Sequence, residues 1–167
     1  MADSFQLGFH FDSSKCSGCK ACDIICKSKF DAKPTQNTRR VYEYVGGSVT
    51  ENSDNTVSSS VFAYYVSIGC NHCSEPVCVK ACPTGACHKQ SSNGLVKIEA
   101  SLCIGCGSCS RACPYDAPQM DPVRKVMTKC DGCEDEVSRG EKPRCVAGCP
   151  QRALDFGVMD ELKAKYP

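Results

Sequence analysis

Residues 15–28, KCSGCKACDIICKS, place four cysteines at intervals of three, three and four residues. The same spacing returns in residues 102–118, LCIGCGSCSRACPYDAP, and looser forms occur in residues 69–83, GCNHCSEPVCVKACP, and across residues 129–150. Sixteen of the seventeen cysteines therefore fall into four groups of four. Along the sequence, group one is Cys16, Cys19, Cys22 and Cys26; group two is Cys70, Cys73, Cys78 and Cys82; group three is Cys103, Cys106, Cys109 and Cys113; group four is Cys130, Cys133, Cys145 and Cys149.

The spacing helps to decide between zinc sites, disulfides and iron-sulfur clusters. Zinc sites usually take two ligands from each of two close pairs, whereas Cys-x2-Cys-x2-Cys brings three thiolates from one short loop onto a single cubane. A proline follows the last cysteine of three groups, at Pro83, Pro114 and Pro150, and Lys27 is the exception in group one. The sequence therefore predicts four 4Fe-4S clusters.

The composition favours a fold built around metal. Trp is absent and apolar residues other than cysteine are sparse, so this 167-residue chain buries little core without added cross-links. We expect metal ligation to supply part of the folding free energy and the apo-protein to be largely unfolded.

The N-terminal stretch MADSFQLGFHFDSS has no basic segment followed by an apolar one, which favours folding in a reducing cytoplasm. The alternative is a periplasmic location, reached by co-export with a signal-bearing partner. No run of 18 apolar residues occurs, so we expect no direct membrane insertion. No basic patch with interleaved aromatics suggests a nucleic-acid partner.

The formal net charge of +1 counts every thiol as neutral. Four clusters at about −2 each would bring it to about −7. Most of the basic residues beside the cysteines are expected to be solvated surface charges. The alternative is that a few of them offset cluster charge and raise the reduction potential. These basic residues are Lys15, Lys20, Lys27, Lys80, Arg111, Lys129 and Arg144.

Residues 70–118 resemble a complete bacterial two-cluster ferredoxin. Between groups two and three the chain has a short extended segment, a Ser-Asn-Gly turn signal and an alternating strand, LVKIE. Group one has a leading strand, QLGFHFD, but no returning ferredoxin strand after Cys26. Group four has a trailing CPQRALDFG but no following motif. Each group therefore supplies the part of a ferredoxin unit that the other lacks. We therefore predict an α+β fold of two nested bacterial-ferredoxin-like units with a pseudo-two-fold relation, plus an inserted β-hairpin. The units are residues 1–30 with 119–167, and residues 69–118; the hairpin is residues 31–68.

In two-cluster ferredoxins the fourth cysteine of each motif ligates the other cluster. By that analogy the groups exchange their fourth cysteines within each unit. Cluster A is expected on Cys16, Cys19, Cys22 and Cys149; cluster B on Cys130, Cys133, Cys145 and Cys26; cluster C on Cys70, Cys73, Cys78 and Cys113; cluster D on Cys103, Cys106, Cys109 and Cys82.

The insertion contains two predicted strands, RRVYEYVGGSV and SSSVFAYYVSI, separated by the polar loop TENSDNTVSSS. Such a hairpin is usually scaffold. The alternative is a surface for a partner, since exposed tyrosines at Tyr42, Tyr44, Tyr64 and Tyr65 suit an interface.

Three residues have weaker claims to function. Cys87 fits no group and is expected to be a buried small residue, with a redox-active thiol as the alternative. His72, inside CNHC, is expected to pack or hydrogen-bond rather than to bind metal, and His10 to face solvent. No phosphate-binding loop and no nucleophile-base pair are recognisable, which predicts a protein without a catalytic site.

The stretches FDSSKCSGCKAC, RRVYEY, FAYYVSIGCNHC, MTKCDGC and CPQRALDFG closely resemble the iron-sulfur subunits of the dimethyl sulfoxide reductase and formate dehydrogenase family. The resemblance covers residues 6–163. It implies a non-catalytic electron-transfer subunit with four 4Fe-4S clusters, bound to a molybdopterin or tungstopterin catalytic subunit and to a second redox subunit, either membrane quinol-oxidising or soluble flavin.

Three alternatives stay open. One is the polyferredoxin-like subunit of a tungsten-dependent aldehyde oxidoreductase, which the chain also resembles. Another is a free polyferredoxin that diffuses between enzymes. The third is a zinc-stabilised interaction module, which would be colourless.

Overall fold

A computed structural model describes residues 5–167 of the protein. Residues 1–4, with which the first predicted unit begins, lie outside the described residues. The strands are β1 (Leu7–Phe11), β2 (Arg39–Gly46), β3 (Val49–Glu51), β4 (Val57–Ser59), β5 (Phe62–Gly69), β6 (Cys87–Lys89), β7 (Val96–Ile98), β8 (Gln119–Met120), β9 (Met127–Thr128) and β10 (Leu154–Val158). The α-helices are α1 (Ala21–Lys29), α2 (Val77–Lys80), α3 (Ser108–Ala112), α4 (Glu134–Val137), α5 (Arg144–Ala147) and α6 (Met159–Lys165), and Ala100–Leu102 form one 3-10 turn. Across residues 5–167, every helix is too short or too polar to cross a membrane.

The two ends of the described sequence meet in one antiparallel pair. Strand β1 pairs with β10 along its whole length, from Leu7 opposite Val158 to Phe11 opposite Leu154. The rings of Phe9 and Phe156 lie 4.8 Å apart on this pair, and Leu154 is buried beneath it. Helices α1 and α5 pack against each other beside the pair. Groups one and four are therefore neighbours in space although more than 100 residues separate them.

The middle of the sequence forms a second small pair. Strand β6 pairs with β7, which lies within the predicted strand LVKIE, and Leu95 and Val96 are fully buried there. Helices α2 and α3, which carry cysteines of groups two and three, pack together.

The segment between these parts is a long antiparallel hairpin. Strands β2 and β5 pair from Arg39 opposite Gly69 to Gly46 opposite Phe62. The predicted polar loop between the two strands is partly wrong, because β3 and β4 extend the hairpin through it. The side-chain amide of Asn52 donates to Thr56 Oγ1 and Ser58 Oγ, and these bonds stabilise the turn that sequence composition alone marked as loop.

The prediction that His10 faces solvent is wrong. Its ring stacks on Tyr166 with centroids 3.7 Å apart, and its Nε2 is buried without a hydrogen-bond partner. The cause is α6, which folds back over β1 after β10 ends.

Cysteine makes up much of the interior. Nine of the nineteen buried apolar residues in the described part of the protein are cysteines. A core of this composition depends on what the thiols bind, because few aliphatic side chains remain to exclude water.

A buried ion network joins the three helices around group four. The Glu136 carboxylate accepts from Lys29 Nζ at 2.7 Å and from Arg144 Nε at 2.5 Å, and the side chains of Glu136 and Lys29 are 5% and 7% exposed. Burial lowers the pKa of Lys29, but hydrogen bonds from its ammonium to Asp135 and Glu136 outweigh that effect and raise the pKa overall. Ion pairs of the Glu136 carboxylate therefore connect α1 and α5 to α4.

In each Cys-x2-Cys pair, one residue in the left-handed backbone conformation forms the turn between the two cysteines. The residue before the second cysteine has a positive φ in all four groups: 70° at Gly18, 44° at His72, 67° at Gly105 and 74° at Gly132. Glycine adopts this conformation without strain. At Gly105 a Cβ atom would also lie 2.2 Å from the Lys125 carbonyl oxygen, so that space as well as backbone angle requires glycine.

We predict that Glu136→Gln lowers the free energy of unfolding by about 3 kcal/mol, because it leaves the buried Lys29 without its full counter-charge. Anaerobic urea unfolding of the iron-loaded protein, followed by circular dichroism, measures this. The control is Glu141→Gln, which removes a carboxylate from an exposed pair with Arg139 and should cost less than about 1 kcal/mol. Equal effects of the two substitutions would contradict the structural role of Glu136.

We predict that Gly105→Ala destabilises the protein much more than Gly85→Ala. Both glycines have positive φ, but no atom lies within 4 Å of a Cβ built at Gly85. Gly85→Ala should therefore cost only the backbone strain of about 1–2 kcal/mol, whereas Gly105→Ala must also displace the Lys125 backbone and should reduce the iron bound per chain. Unfolding midpoints and iron content measure both effects. If the two variants behave alike, the close approach at Lys125 is unimportant.

Candidate iron-sulfur centres

The cysteines predicted to bind cluster A line one cavity. Cys16 and Cys19 come from the loop after β1, Cys22 from α1 and Cys149 from the end of α5. Apolar side chains complete the wall, namely Phe11, Val41 and Leu154. The structure thus brings the fourth cysteine of group four to the first three cysteines of group one.

The cysteines predicted to bind cluster C line a second cavity. Cys70, Cys73 and Cys78 of group two surround it together with Cys113 of group three. Proline, tyrosine and alanine side chains form most of the remaining wall, along with Lys129. The arrangement repeats that of the first cavity, with three cysteines from one group and the fourth from its predicted partner.

The cysteines predicted to bind cluster B are all buried. Burial raises the pKa of the Cys133 thiol to about 12, and the charge of Cys145 adds to the rise. Burial raises the pKa of Cys130 well above its usual value, with contributions from Cys26 and Cys145. The charges of Cys26 and Cys145 thus act on the pKa of other thiols that the sequence assigns to cluster B.

The cysteines predicted to bind cluster D are nearer the surface. Cys106 is exposed, and the pKa of its thiol is lowered by the Ser108 hydroxyl against an opposing effect of Cys82. Burial raises the pKa of Cys109 to about 11, and Cys103 adds to the rise. The charge of Cys82 of group two therefore acts on the pKa of Cys106 of group three.

Hydrogen-bond donors surround the sulfur atoms. The Thr38 hydroxyl lies 3.0 Å from Cys26 Sγ, and the Ser67 hydroxyl lies 3.3 Å from Cys22 Sγ. Backbone N–H groups donate to Cys82 Sγ from Cys87 and to Cys103 Sγ from Met127, each at 3.3 Å. Such bonds favour the thiolate, the form in which cysteine binds metal.

Thr38 and Ser67 were missed by sequence reasoning. Both lie in the predicted insertion, outside every cysteine motif, and no local pattern marks them. Only the pairing of β2 with β5, which places the hairpin base against α1, reveals their roles.

The geometry suits a cluster better than a single ion. Within residues 5–167, no three Cys, His, Asp or Glu side chains converge on a point where one metal ion could bind. The thiols instead surround cavities, as expected for a cubane of four irons and four sulfides that each thiolate approaches at a different corner. The donor set is therefore fitted to 4Fe-4S chemistry, which supplies reversible one-electron transfer when such clusters are bound.

Cys87 and His72 lie against the cysteine sets. Cys87 is buried, as predicted, and a hydrogen bond between its thiol and that of Cys78 raises the pKa of Cys87 while lowering that of Cys78 to about 6. His72 is also buried, and its Nδ1 accepts the Val96 N–H at 3.0 Å. The bond to Val96 makes His72 a packing and hydrogen-bonding residue of the β7 region.

Comparison with known proteins agrees with this chemistry. Residues 61–159 match the family described as 4Fe-4S dicluster domain. The B subunit of anaerobic dimethyl sulfoxide reductase is 52% identical in Haemophilus influenzae and 53% identical in Escherichia coli, and each alignment covers 96% of this protein and 78% of the relative. The formate dehydrogenase iron-sulfur subunit of Haemophilus influenzae is 36% identical over 91% of this protein and 51% of its own length. The protein therefore belongs to the 4Fe-4S dicluster family that includes the iron-sulfur subunits of dimethyl sulfoxide reductase and formate dehydrogenase.

Proposed function

We propose that this protein is the electron-transfer subunit of an oxidoreductase complex, in which four 4Fe-4S clusters relay single electrons between a molybdopterin or tungstopterin catalytic subunit and a second redox subunit. The relatives are named as parts of such complexes, and subunits of this kind transfer electrons without binding substrate. The finer parts of the proposal are supported by the arrangement of the thiols.

The proposed ligands are sets A to D as the sequence predicts them. Two cavities, each lined by one complete set, support A and C. The mutual electrostatic effects among the thiols support B and D. An assignment without exchange is disfavoured, because Cys149 and Cys113 line cavities with cysteines of other groups.

Electrostatic contacts between neighbouring sets support the order A, B, C, D. Burial raises the pKa of Cys22 in set A, and the charge of Cys145 in set B adds to the rise. The charge of Cys70 in set C also raises the pKa of Cys130 in set B. The charge of Cys78 in set C likewise acts on the pKa of Cys109 in set D. This succession of neighbours supports a linear relay.

The pattern of thiol exposure is the main observation that supports the proposed electron relay. Among the sixteen, only Cys19 of set A and Cys106 of set D are exposed, whereas set B is wholly buried and set C has no exposed member. A wire requires access for partners at its ends and insulation between them. One exposed thiol in each outer set, and none in either inner set, matches that requirement.

The nested domain organisation is part of the same proposal. The pairing of β1 with β10 and the packing of α1 on α5 support one unit made of residues 1–30 and 119–167. The pairing of β6 with β7 and the packing of α2 on α3 support the other, residues 69–118. The hairpin of residues 31–68 is the insertion.

The hairpin favours a stable subunit over a freely diffusing carrier. Tyr42, Tyr44, Phe62 and Tyr64 are all more than 40% exposed, and the rings of Tyr44 and Tyr64 stack 5.1 Å apart. Contiguous exposed aromatics of this kind are typical of protein interfaces. Tyr65, also proposed from the sequence as exposed, is half-buried beside Gly18.

We predict about sixteen iron atoms from this protein's four clusters in the natively purified complex, plus any iron that its partners hold. Metal analysis per copy of this protein, after anaerobic purification, also decides the partner. Molybdenum supports a dimethyl sulfoxide reductase-like assembly, and tungsten supports an aldehyde oxidoreductase. A colourless protein with zinc, or a brown protein that purifies alone, would contradict the proposal.

We predict that Cys109→Ser loses or alters one cluster and interrupts turnover with the physiological electron partner, because Cys109 is assigned to set D. The matched control is Cys87→Ser, which changes a buried thiol that belongs to no set. Iron content, electron paramagnetic resonance and turnover compare the two variants. Normal turnover in Cys109→Ser would contradict the linear relay, and four intact clusters in Cys109→Ser would contradict the ligand assignment.

A further inference from the structure

Most of the basic residues near the cysteines are solvated or neutralised by carboxylates. Lys15 pairs with Asp12 and Lys80 with Glu75, and both lysines are exposed. Arg144 is exposed and pairs with the buried Glu136. Lys129 differs from all of these because it is 5% exposed, and Arg39, which the sequence did not single out, is 3% exposed.

Arg39 lies between sets A and B. Its guanidinium sits over the Phe9 ring, 5.2 Å from the centroid, and Nη1 donates to Ser67 Oγ at 3.1 Å. Ser67 in turn contacts Cys22 Sγ of set A at 3.3 Å. Burial acts to lower the pKa of Arg39, but the charges of Cys145 and Cys130 in set B, with those of Cys22 and Cys26, raise it overall.

Lys129 lies between sets B and C. Its Nζ is 3.5 Å from Cys70 Sγ of set C and donates to the carbonyl oxygens of Val96 and Cys130. Lys129 also lines the cavity of set C. The carbonyl groups satisfy its hydrogen bonds, but they carry no net charge.

Neither cation has a carboxylate partner. Among residues 5–167, no Asp or Glu oxygen lies within 4.0 Å of the charged nitrogens of Arg39 or Lys129. An unpaired buried charge is strongly destabilising, because the charge loses its hydration and gains no counter-charge. Lys29, by contrast, is a buried cation to which the protein supplies three carboxylates, from Asp131, Asp135 and Glu136. The negative charge that faces Arg39 and Lys129 must therefore belong to thiolate-bound groups.

We propose that Arg39 and Lys129 are the counter-charges of the inner clusters, Arg39 at the junction of A and B and Lys129 at that of B and C, and that they raise the reduction potentials of these clusters. This inference rests on the proposed cluster assignments and goes beyond them. One-electron reduction adds a negative charge to a cluster, so a fixed cation nearby stabilises the reduced form. The effect is strong because both cations are shielded from water.

The test is an anaerobic redox titration of the purified complex, followed by electron paramagnetic resonance. In Arg39→Gln we expect at least one midpoint potential to fall so that the ratio of reduced to oxidised cluster at a fixed potential decreases about tenfold, a shift of about 59 mV for one electron. Lys129→Met should lower a different midpoint, belonging to set C, by a similar amount.

The matched control is Lys80→Gln. This residue stands two positions from Cys78 and from Cys82, closer in sequence to cluster cysteines than Arg39, but it is exposed and paired with Glu75. Solvent screens such a charge, so the ratio of reduced to oxidised cluster at a fixed potential should change by less than about 1.5-fold, against the tenfold change expected of the buried variants. A shift in Lys80→Gln equal to those of the buried variants would overturn the proposal.

The charge-retaining variants Arg39→Lys and Lys129→Arg separate charge from shape. If Arg39→Gln does not assemble but Arg39→Lys does, with near-normal midpoints, the counter-charge role is supported. If both fail, or if Arg39→Gln assembles with unchanged midpoints, the proposal is overturned, and the same holds at Lys129. A wild-type complex lacking four cluster midpoints would instead contradict the proposed function, so the two failures are distinguishable.

Discussion

The structure depends on bringing thiols from distant parts of the sequence to common cavities. Cys149 joins three cysteines that precede it by more than 120 residues, and Cys113 joins three that precede it by more than 30. Such convergence requires the two ends of the protein to meet, which the pairing of β1 with β10 accomplishes. The short helices α1 and α5 pack beside that strand pair, and Cys149 follows two residues after α5 ends. Secondary structure here serves mainly to hold sulfur atoms in place.

The surroundings of the sulfur atoms differ between the outer set D and the inner set B. Set D has an exposed thiol that contacts the Ser108 hydroxyl at the surface. Set B is wholly buried and receives a hydroxyl from Thr38 and the charge of Arg39. Since burial, hydrogen bonding and nearby charge all tune the potential of an iron-sulfur cluster, the same fold gives each set a different environment without changing its ligands.

The sequence predicted the cysteine groups and the hairpin because these features depend on local or repeated patterns. The spacing of cysteines, the Ser-Asn-Gly turn signal and the alternating strands each depend on a few neighbouring residues. What it missed depends on long-range packing. His10 alternates with phenylalanines and looks solvent-facing until α6 covers it. Ser67 and Arg39 approach the thiols only because β2 and β5 pair at the base of the hairpin. The strands β3 and β4 arise in a polar segment because side-chain hydrogen bonds from Asn52 compensate for the lack of apolar residues.

The buried cations link folding to cluster binding. With clusters bound, Arg39 and Lys129 face negative charge and their burial is compensated. Without clusters, the protonated thiols would be neutral, and burial does raise the pKa of Cys22, Cys26 and Cys130, which favours that neutral form. Two cations would then be buried with no counter-charge in a core that is poor in aliphatic side chains. The iron-loaded state is therefore the one for which this arrangement of charges is stable, and cluster insertion and folding are expected to proceed together.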